Sequence, residues 1–428
     1  MRILLATDAF PPVCGGSGWS TFELARGLRA RGHEILVVQP RQSASGASER
    51  RYDDLRVVEL GFGAPAVPFL RNYWKNERLW PRVARDLARL IAESNIDLIH
   101  AQHVLTTVPS VEAARAARIP AVATVRDYWP VCYWSDLIHT RADEAGAGGL
   151  CPACTSAGMQ QCLRARTGAA WPLALPFIPY MRGNLSRKRT ALANADAVIA
   201  VSTRMAADLR ARAPELAATP LTVVPNAVDI DALLARAAVA PRRAAGPYAI
   251  YLGKLAPNKG TRHLVDVIER AGLDWPLVVA GDGPDRTDLE ARAARSTRTI
   301  RFVGWIDRDD TIAWLAHASL LIFPSRGPES LSRVLLDGSA LGLPIAAMNT
   351  GGTADIVEHG VTGLLSDTPA ALADDVRRLR EDEGLRARVG RAAQARARER
   401  FDAPRVIDRI EEVYARATAR ARSTRGSR

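Results

Sequence analysis

Two lysines five residues apart, in Gly253-Lys254-Leu255-Ala256-Pro257-Asn258-Lys259-Gly260, stand on a turn between an apolar run and a helical pattern. Two cations at a helix start suit a diphosphate, because side-chain charge and exposed backbone N–H groups then act on one anion. Further along come Gly281-Asp282-Gly283-Pro284 and Phe302-Val303-Gly304, then Phe323-Pro324-Ser325-Arg326-Gly327-Pro328-Glu329-Ser330-Leu331-Ser332-Arg333 with Asp337 four residues on, and finally Gly351-Gly352-Thr353. Glycine turns of this kind let backbone approach a ligand closely. Taken singly each piece is weak, since a lone lysine is usually a solvated surface group and a lone acid after a strand can merely cap the next helix. Near the start, Asp8-Ala9-Phe10-Pro11-Pro12-Val13-Cys14-Gly15-Gly16-Ser17-Gly18 is a glycine-rich loop between a strand and a helix. It lacks the glycine spacing of the dinucleotide fingerprint but can bring amides to a phosphate.

These pieces need a scaffold. Apolar runs Ile3 to Ala6, Glu34 to Val38, Asp97 to His100 and Pro120 to Val125 alternate with helical patterns such as Thr21 to Arg31. The same βαβ rhythm restarts at Tyr248 to Gly253, Leu277 to Ala280, Ile300 to Val303, Leu320 to Phe323 and Pro344 to Ala347. Two parallel-sheet domains follow, as 428 residues also suggest. The join falls between residues 222 and 246, around Val223-Val224-Pro225-Asn226. In open parallel sheets ligands bind beyond the carboxyl ends of the strands, where the glycine turns, lysines and acids above stand. No export signal or membrane span is legible, which predicts a cytoplasmic protein.

In order and spacing these elements resemble the family 4 retaining glycosyltransferases, and the resemblance covers nearly the whole chain. It implies a GT-B fold, α/β with two Rossmann-like domains facing a deep interdomain cleft. Residues 1–222 would form the acceptor-side domain with an insertion at about 130–190, 223–246 the hinge, 247–400 the nucleotide-sugar domain, and 401–428 a C-terminal helix returning to the first domain. By resemblance Lys254 and Lys259 hold the donor phosphates, Glu329 binds sugar hydroxyls, and Asp337, separated from it by seven residues, holds the ribose diol. Asp337 stands where relatives have Glu, one methylene shorter. Ser330, Leu331 and Ser332 replace a glycine-rich stretch whose amides face the phosphate, and Gly16 approaches the donor from the first domain. The substrates implied are a nucleotide-diphosphate sugar and a hydroxyl of a saccharide or lipid-linked acceptor, in polysaccharide or glycolipid assembly, with no cofactor required.

Four features depart from that pattern or lie outside it. Arg126-Asp127 occupies the strand end where the family has His-Asp near the transferred sugar; Arg126 is then either a substrate contact with a forked donor set or a structural partner of an acid. Cys132, Cys151, Cys154 and Cys162 read as a tetrahedral zinc site, or as reduced or redox-labile thiols. Between residues 164 and 190, six basic residues and no acid flank Trp171 to Met181, which suits either an anionic membrane surface or a packed wall of the acceptor cleft. Asp307-Arg308-Asp309 resembles a metal-binding Asp-x-Asp but sits where a helix cap belongs. The net charge of +12 calls for an anionic partner; without a recognisable DNA- or RNA-reading module, specific nucleic-acid binding is not expected. A nucleotide-sugar epimerase or hydrolase on the same architecture is the rival enzyme reading, one that would form product from donor alone.

Overall fold

The computed structural model describes residues 1–42, 46–65, 68–137, 151 and 153–426. The chain folds as two compact units. The first comprises the described parts of Met1–Ser135, Pro152–Ala227 and Ala403–Arg428, and the second those of Asp136–Cys151 and Val228–Asp402.

In the first unit eight strands form one sheet: β1 (Arg2–Ala6), β2 (Glu34–Gln42), β3 (Gly46–Tyr52), β4 (Leu55–Phe62), β5 (Leu98–Ala101), β6 (Ala121–Val125), β7 (Ala197–Ala200) and β8 (Leu221–Val223). Their order is β3-β4-β2-β1-β5-β6-β7-β8, and every neighbouring pair is parallel except β3 with β4. Central strands such as β6, Ala121-Val122-Ala123-Thr124-Val125, are buried along their whole length, as expected of a sheet covered on both faces. The edge hairpin was not legible in sequence: β3 is polar and largely exposed, and its two-residue turn uses Asp53 and Asp54, both at positive φ, in place of the Asn-Gly that announces such turns. The terminal helix Ala403–Gly426 packs on this unit. Val406, Ile407, Ile410, Val413 and Tyr414 join Ala25, Leu28 and Leu5 in one core, and the Tyr414 hydroxyl lies 2.7 Å from His100 Nδ1.

The segment after residue 155 is built from several helices in succession. Helices Ser156–Thr167, Trp171–Ala174 and Ile178–Ala193 follow one another through short 3-10 turns, and Pro172 and Pro179 stand in the first turn of their helices, where a missing N–H costs nothing. The basic residues expected to form one exposed array are divided. Arg187 pairs with Glu77 and lies over the Trp80 ring, Lys188 is buried over the Tyr133 ring, and Arg189 Nε donates to the Pro130 carbonyl at 2.7 Å. Burial lowers the Lys188 ammonium to about 8 against the pull of Asp127.

The second unit carries β9 (Ala249–Leu252), β10 (Leu277–Ala280), β11 (Ile300–Gly304), β12 (Leu320–Phe323), β13 (Ile345–Met348) and β14 (Leu364–Ser366), all parallel, in the order β11-β10-β9-β12-β13-β14. Its core runs from Leu264, Val265 and Ile268 through Ile322 and Ala346 to Leu372 and Val376. Within the segment read as the join, Ile230–Ala238 is a helix capped by Asp229, whose carboxylate accepts from Ala232 N–H at 3.0 Å.

Candidate active site

Strand order reverses between β9 and β12 in the second sheet, and at such a switch point the loops leaving the two strands diverge and open a crevice. The loops there are 253–261 and 324–332. Crossing backbones hold them together. Gly260 has φ +65°, and a Cβ on it would lie 1.9 Å from the Pro324 carbonyl oxygen; Gly281, at φ +143°, would place one 1.9 Å from the Gly253 carbonyl oxygen. The Arg326 and Gly327 amides donate to the Asn258 carbonyl at 3.1 and 2.7 Å. Below them Asp285, buried, accepts from Thr261 Oγ1 at 2.7 Å and Arg262 Nε at 3.3 Å, bracing the lysine loop from behind. Gly260→Ala should therefore cost about 1–3 kcal/mol through strain and backbone overlap, a fall in melting temperature of roughly 2–4 °C per kcal/mol, and should weaken nucleotide binding by displacing Lys259. Unchanged melting would show that the two loops are not locked together.

On this frame Lys259 Nζ stands 2.6 Å from Glu329 Oε1, with side chains 30% and 10% exposed. Ser325 Oγ also donates to Glu329 Oε1, and Glu329 is clamped by its backbone, its carbonyl accepting from Gly352 N–H at 2.7 Å. Gly351 fits against it only because it carries no Cβ, which would lie 2.0 Å from that carbonyl oxygen. Lys254 is exposed on the same loop; Ser330 is half-buried, while Leu331 and Ser332 are buried at the start of the helix Arg333–Ala340. Sequence spacing thus brings Lys254, Lys259, Glu329 and residues 330–332 to the carboxyl ends of two adjacent strands.

Asp337 stands apart from them. It is buried, and its carboxylate is taken by Arg308, through both terminal nitrogens, and by Arg333 Nε at 3.1 Å. Burial alone would raise its pKa, but the two guanidiniums hold it below the ordinary carboxylate value. A ribose diol at Asp337 would meet a carboxylate already engaged in this internal ion-pair network. Asp307 caps the helix Arg308–Ala316, accepting from Asp310 N–H at 2.8 Å, while Asp309 and Asp310 pair with Arg236 and Arg243.

In the first sheet the order reverses between β1 and β5. Gly16 is exposed in the first turn of the helix Gly16–Ala30, beyond β1. Arg126 is buried and donates to the amide oxygens of Asn226 and Gln102. Asp127 Oδ1 accepts from Trp129 N–H at 2.8 Å, and its Oδ2 meets His103 Nε2 at 3.2 Å. Sequence reading passed over His103, because nothing local marks a histidine as the neighbour of an acid twenty-four residues away on the next strand.

None of the five cysteines is in a disulfide. Among the described residues no three His, Cys, Asp or Glu side chains are placed to hold a metal ion, those of Cys132, Cys151, Cys154 and Cys162 included. Cys162 is buried on its helix and Cys154 packs against Met159, Leu163 and Met181, which is how a thiol behaves as a small apolar group.

Residues 14–232 match the profile described as Glycosyltransferase Family 4, and residues 246–382 that described as Glycosyl transferases group 1. The chain is 27% identical to the glycogen synthase of Mycobacterium tuberculosis over 97% of its own length and 94% of that protein. It is 26% identical to the phosphatidyl-myo-inositol mannosyltransferase of Mycobacterium leprae over 97% and 96%. Among solved structures, Anabaena HepE in complex with UDP superposes with a TM-score of 0.65 at 21% identity, covering 97% of this chain and 100% of that one. Sucrose-phosphate synthase from Thermosynechococcus elongatus gives 0.71 at 18%, covering 98% and 100%. Two parallel-sheet α/β domains of this kind are the GT-B fold of nucleotide-sugar glycosyltransferases. The protein belongs to glycosyltransferase family 4, and glycosyl transfer is its activity.

Proposed function

We propose that the protein transfers a glycosyl unit from a nucleoside-diphosphate sugar to a hydroxyl acceptor with retention of anomeric configuration, in polysaccharide or glycolipid assembly. The observation that carries this reading is the convergence of Lys259 and Glu329, 2.6 Å apart, at the switch point of the second sheet. In the proposed step the anomeric carbon's bond to the diphosphate oxygen breaks, the acceptor oxygen bonds to the same carbon, and the acceptor proton passes to the departing diphosphate. Lys254 and Lys259 neutralise the charge that develops on that leaving group, with the amides of Ser330, Leu331 and Ser332 as further donors, and electrostatic stabilisation of this kind is the largest contribution in many enzymes. Glu329 accepts from the sugar hydroxyls. With lysines supplying the charge and Asp307 committed to a helix cap, no divalent metal is required. UDP bound to HepE supports a nucleoside diphosphate as the leaving group here too.

Glu329→Gln tests the division of labour. Nucleotide binding should change by less than about threefold, while turnover falls by at least about tenfold, because only contacts made to sugar hydroxyls in the transition state are lost. A selective loss of free-nucleotide affinity would contradict the assignment.

The acceptor is proposed to be a saccharide or a lipid-linked saccharide, with peripheral attachment to the cytoplasmic face of an anionic membrane. Among the described residues no helix is long and apolar enough to cross a membrane. Support for surface attachment comes from Leu173, 81% exposed, and Phe177 on the helical insertion, near exposed Arg164 and Arg182. Leu173→Ser with Phe177→Ser should reduce co-sedimentation with vesicles of anionic lipid by at least about threefold, since each buried methylene contributes about 0.8 kcal/mol. Equal sedimentation of variant and parent would remove the membrane from the account.

A further inference from the structure

The carboxyl edge of the first sheet holds a charged cluster that the donor-binding reading does not use. It gathers at the ends of β1, β5 and β6, beside the β1/β5 switch point. His103 lies between two acids, with Nδ1 2.8 Å from Asp8 Oδ2 and Nε2 3.2 Å from Asp127 Oδ2. A carboxylate at each ring nitrogen requires a proton on each, so the ring is an imidazolium. Nor is it merely a helix cap. Although His103 precedes the helix Val104–Ala117, it is Asp8 that caps this helix, accepting from Leu105 N–H at 3.1 Å and Thr106 Oγ1 at 3.3 Å.

The His103 and Asp127 side chains are 21% and 28% exposed, open enough to meet a ligand. Asp127 uses one lone pair of each oxygen, for Trp129 N–H and for His103, and keeps a second on each. The neighbouring Arg126, at the family's histidine position, is turned to Asn226 and Gln102. An imidazole therefore reaches Asp127 from the adjacent strand.

We propose that His103 is a positioning residue for glycosyl transfer, clamping Asp127 ionised and fixed in orientation so that its remaining lone pairs accept from a hydroxyl of a sugar bound at the carboxyl edge of the first sheet. The proposal rests on the glycosyltransferase reading. Every charged neighbour bears on the clamp. Burial and Arg126 both favour neutral His103, but Asp8 and Asp127 outweigh them and raise it to about 9. Burial and Asp8 push the Asp127 carboxyl up, while His103, Trp129 N–H and the buried Lys188 hold it down. Lys75, itself lowered by burial and by Arg71, faces Asp8. The clamp is accordingly closed through the neutral range and opens as pH rises through about 9.

Two measurements on the full chain test it. In ¹⁵N-histidine-labelled protein, the His103 resonance, identified by its absence from His103→Gln, should titrate near 9 and fall by at least about one unit in Asp127→Asn. Titration near the ordinary 6.5 would overturn the proposal. For transfer itself, kcat/KM for the acceptor should be level between pH 6 and 8 in the wild type. In His103→Gln it should fall as pH is lowered from 8 to 6, because an unclamped Asp127, its carboxyl pushed up by desolvation and by Asp8, takes up a proton. Because Asp127 holds the Lys188 ammonium up, both profiles are also taken in a Lys188→Met background, and the difference that persists there isolates His103. Loss by one constant factor at every pH would mark a structural histidine and overturn the proposal. Wild-type protein that transfers no sugar from any nucleotide sugar would overturn the enzyme reading and the proposal with it, and is distinguished by an intact titration near 9.

Discussion

Lys259→Ala should turn over at least about 100-fold more slowly than the wild type, a loss of about 2.7 kcal/mol of transition-state stabilisation, while remaining folded. The lysine is assigned to the leaving diphosphate, whose charge grows as the glycosidic bond breaks, so its attraction is greatest in the transition state and the loss falls on kcat. Folding should survive because the ammonium is 30% exposed and Glu329 Oε1 keeps Ser325 Oγ as a donor. The check is kcat at saturating donor beside a thermal melt. Near-normal turnover would remove Lys259 from the site.

The second large effect is on stability. Asp337→Ala should cost about 3–5 kcal/mol, because it removes the carboxylate that the guanidiniums of Arg308 and Arg333, which are 10% and 7% exposed, both meet. Denaturant unfolding without nucleotide measures this directly. If Asp337 instead served the ribose, the variant would unfold like its parent and lose nucleotide affinity. Acid should weaken the same network: the Asp337 pKa is lowered on folding, so its contribution is full above the ordinary carboxylate value and is lost as pH falls through the depressed one.

The two sheets and the donor loops were legible in sequence because their signals are local. A buried parallel strand such as Leu320-Leu321-Ile322-Phe323 is a continuous apolar run, and the glycines at 260, 281 and 351 are required by backbone crossings that leave no room for a Cβ. What stayed hidden is set by partners distant in sequence. Nothing local announces that Asp337 will meet both Arg308 and Arg333. The basic run at 187–189 looks like a surface array until Trp80, Tyr133 and the Pro130 carbonyl take one side chain each. His103 acquires its partners only when β1, β5 and β6 are laid side by side.

Calorimetric titration with UDP, GDP and ADP, on the wild type and on Lys254→Ala with Lys259→Ala, tests the central claim most directly. The wild type should bind at least one of the three, and the double variant should bind that nucleotide at least about 100-fold more weakly, two charge-assisted contacts to the diphosphate having been lost. Equal affinity in the two proteins, or no binding of any nucleoside diphosphate by the wild type, would contradict a donor site at the switch point of the second sheet.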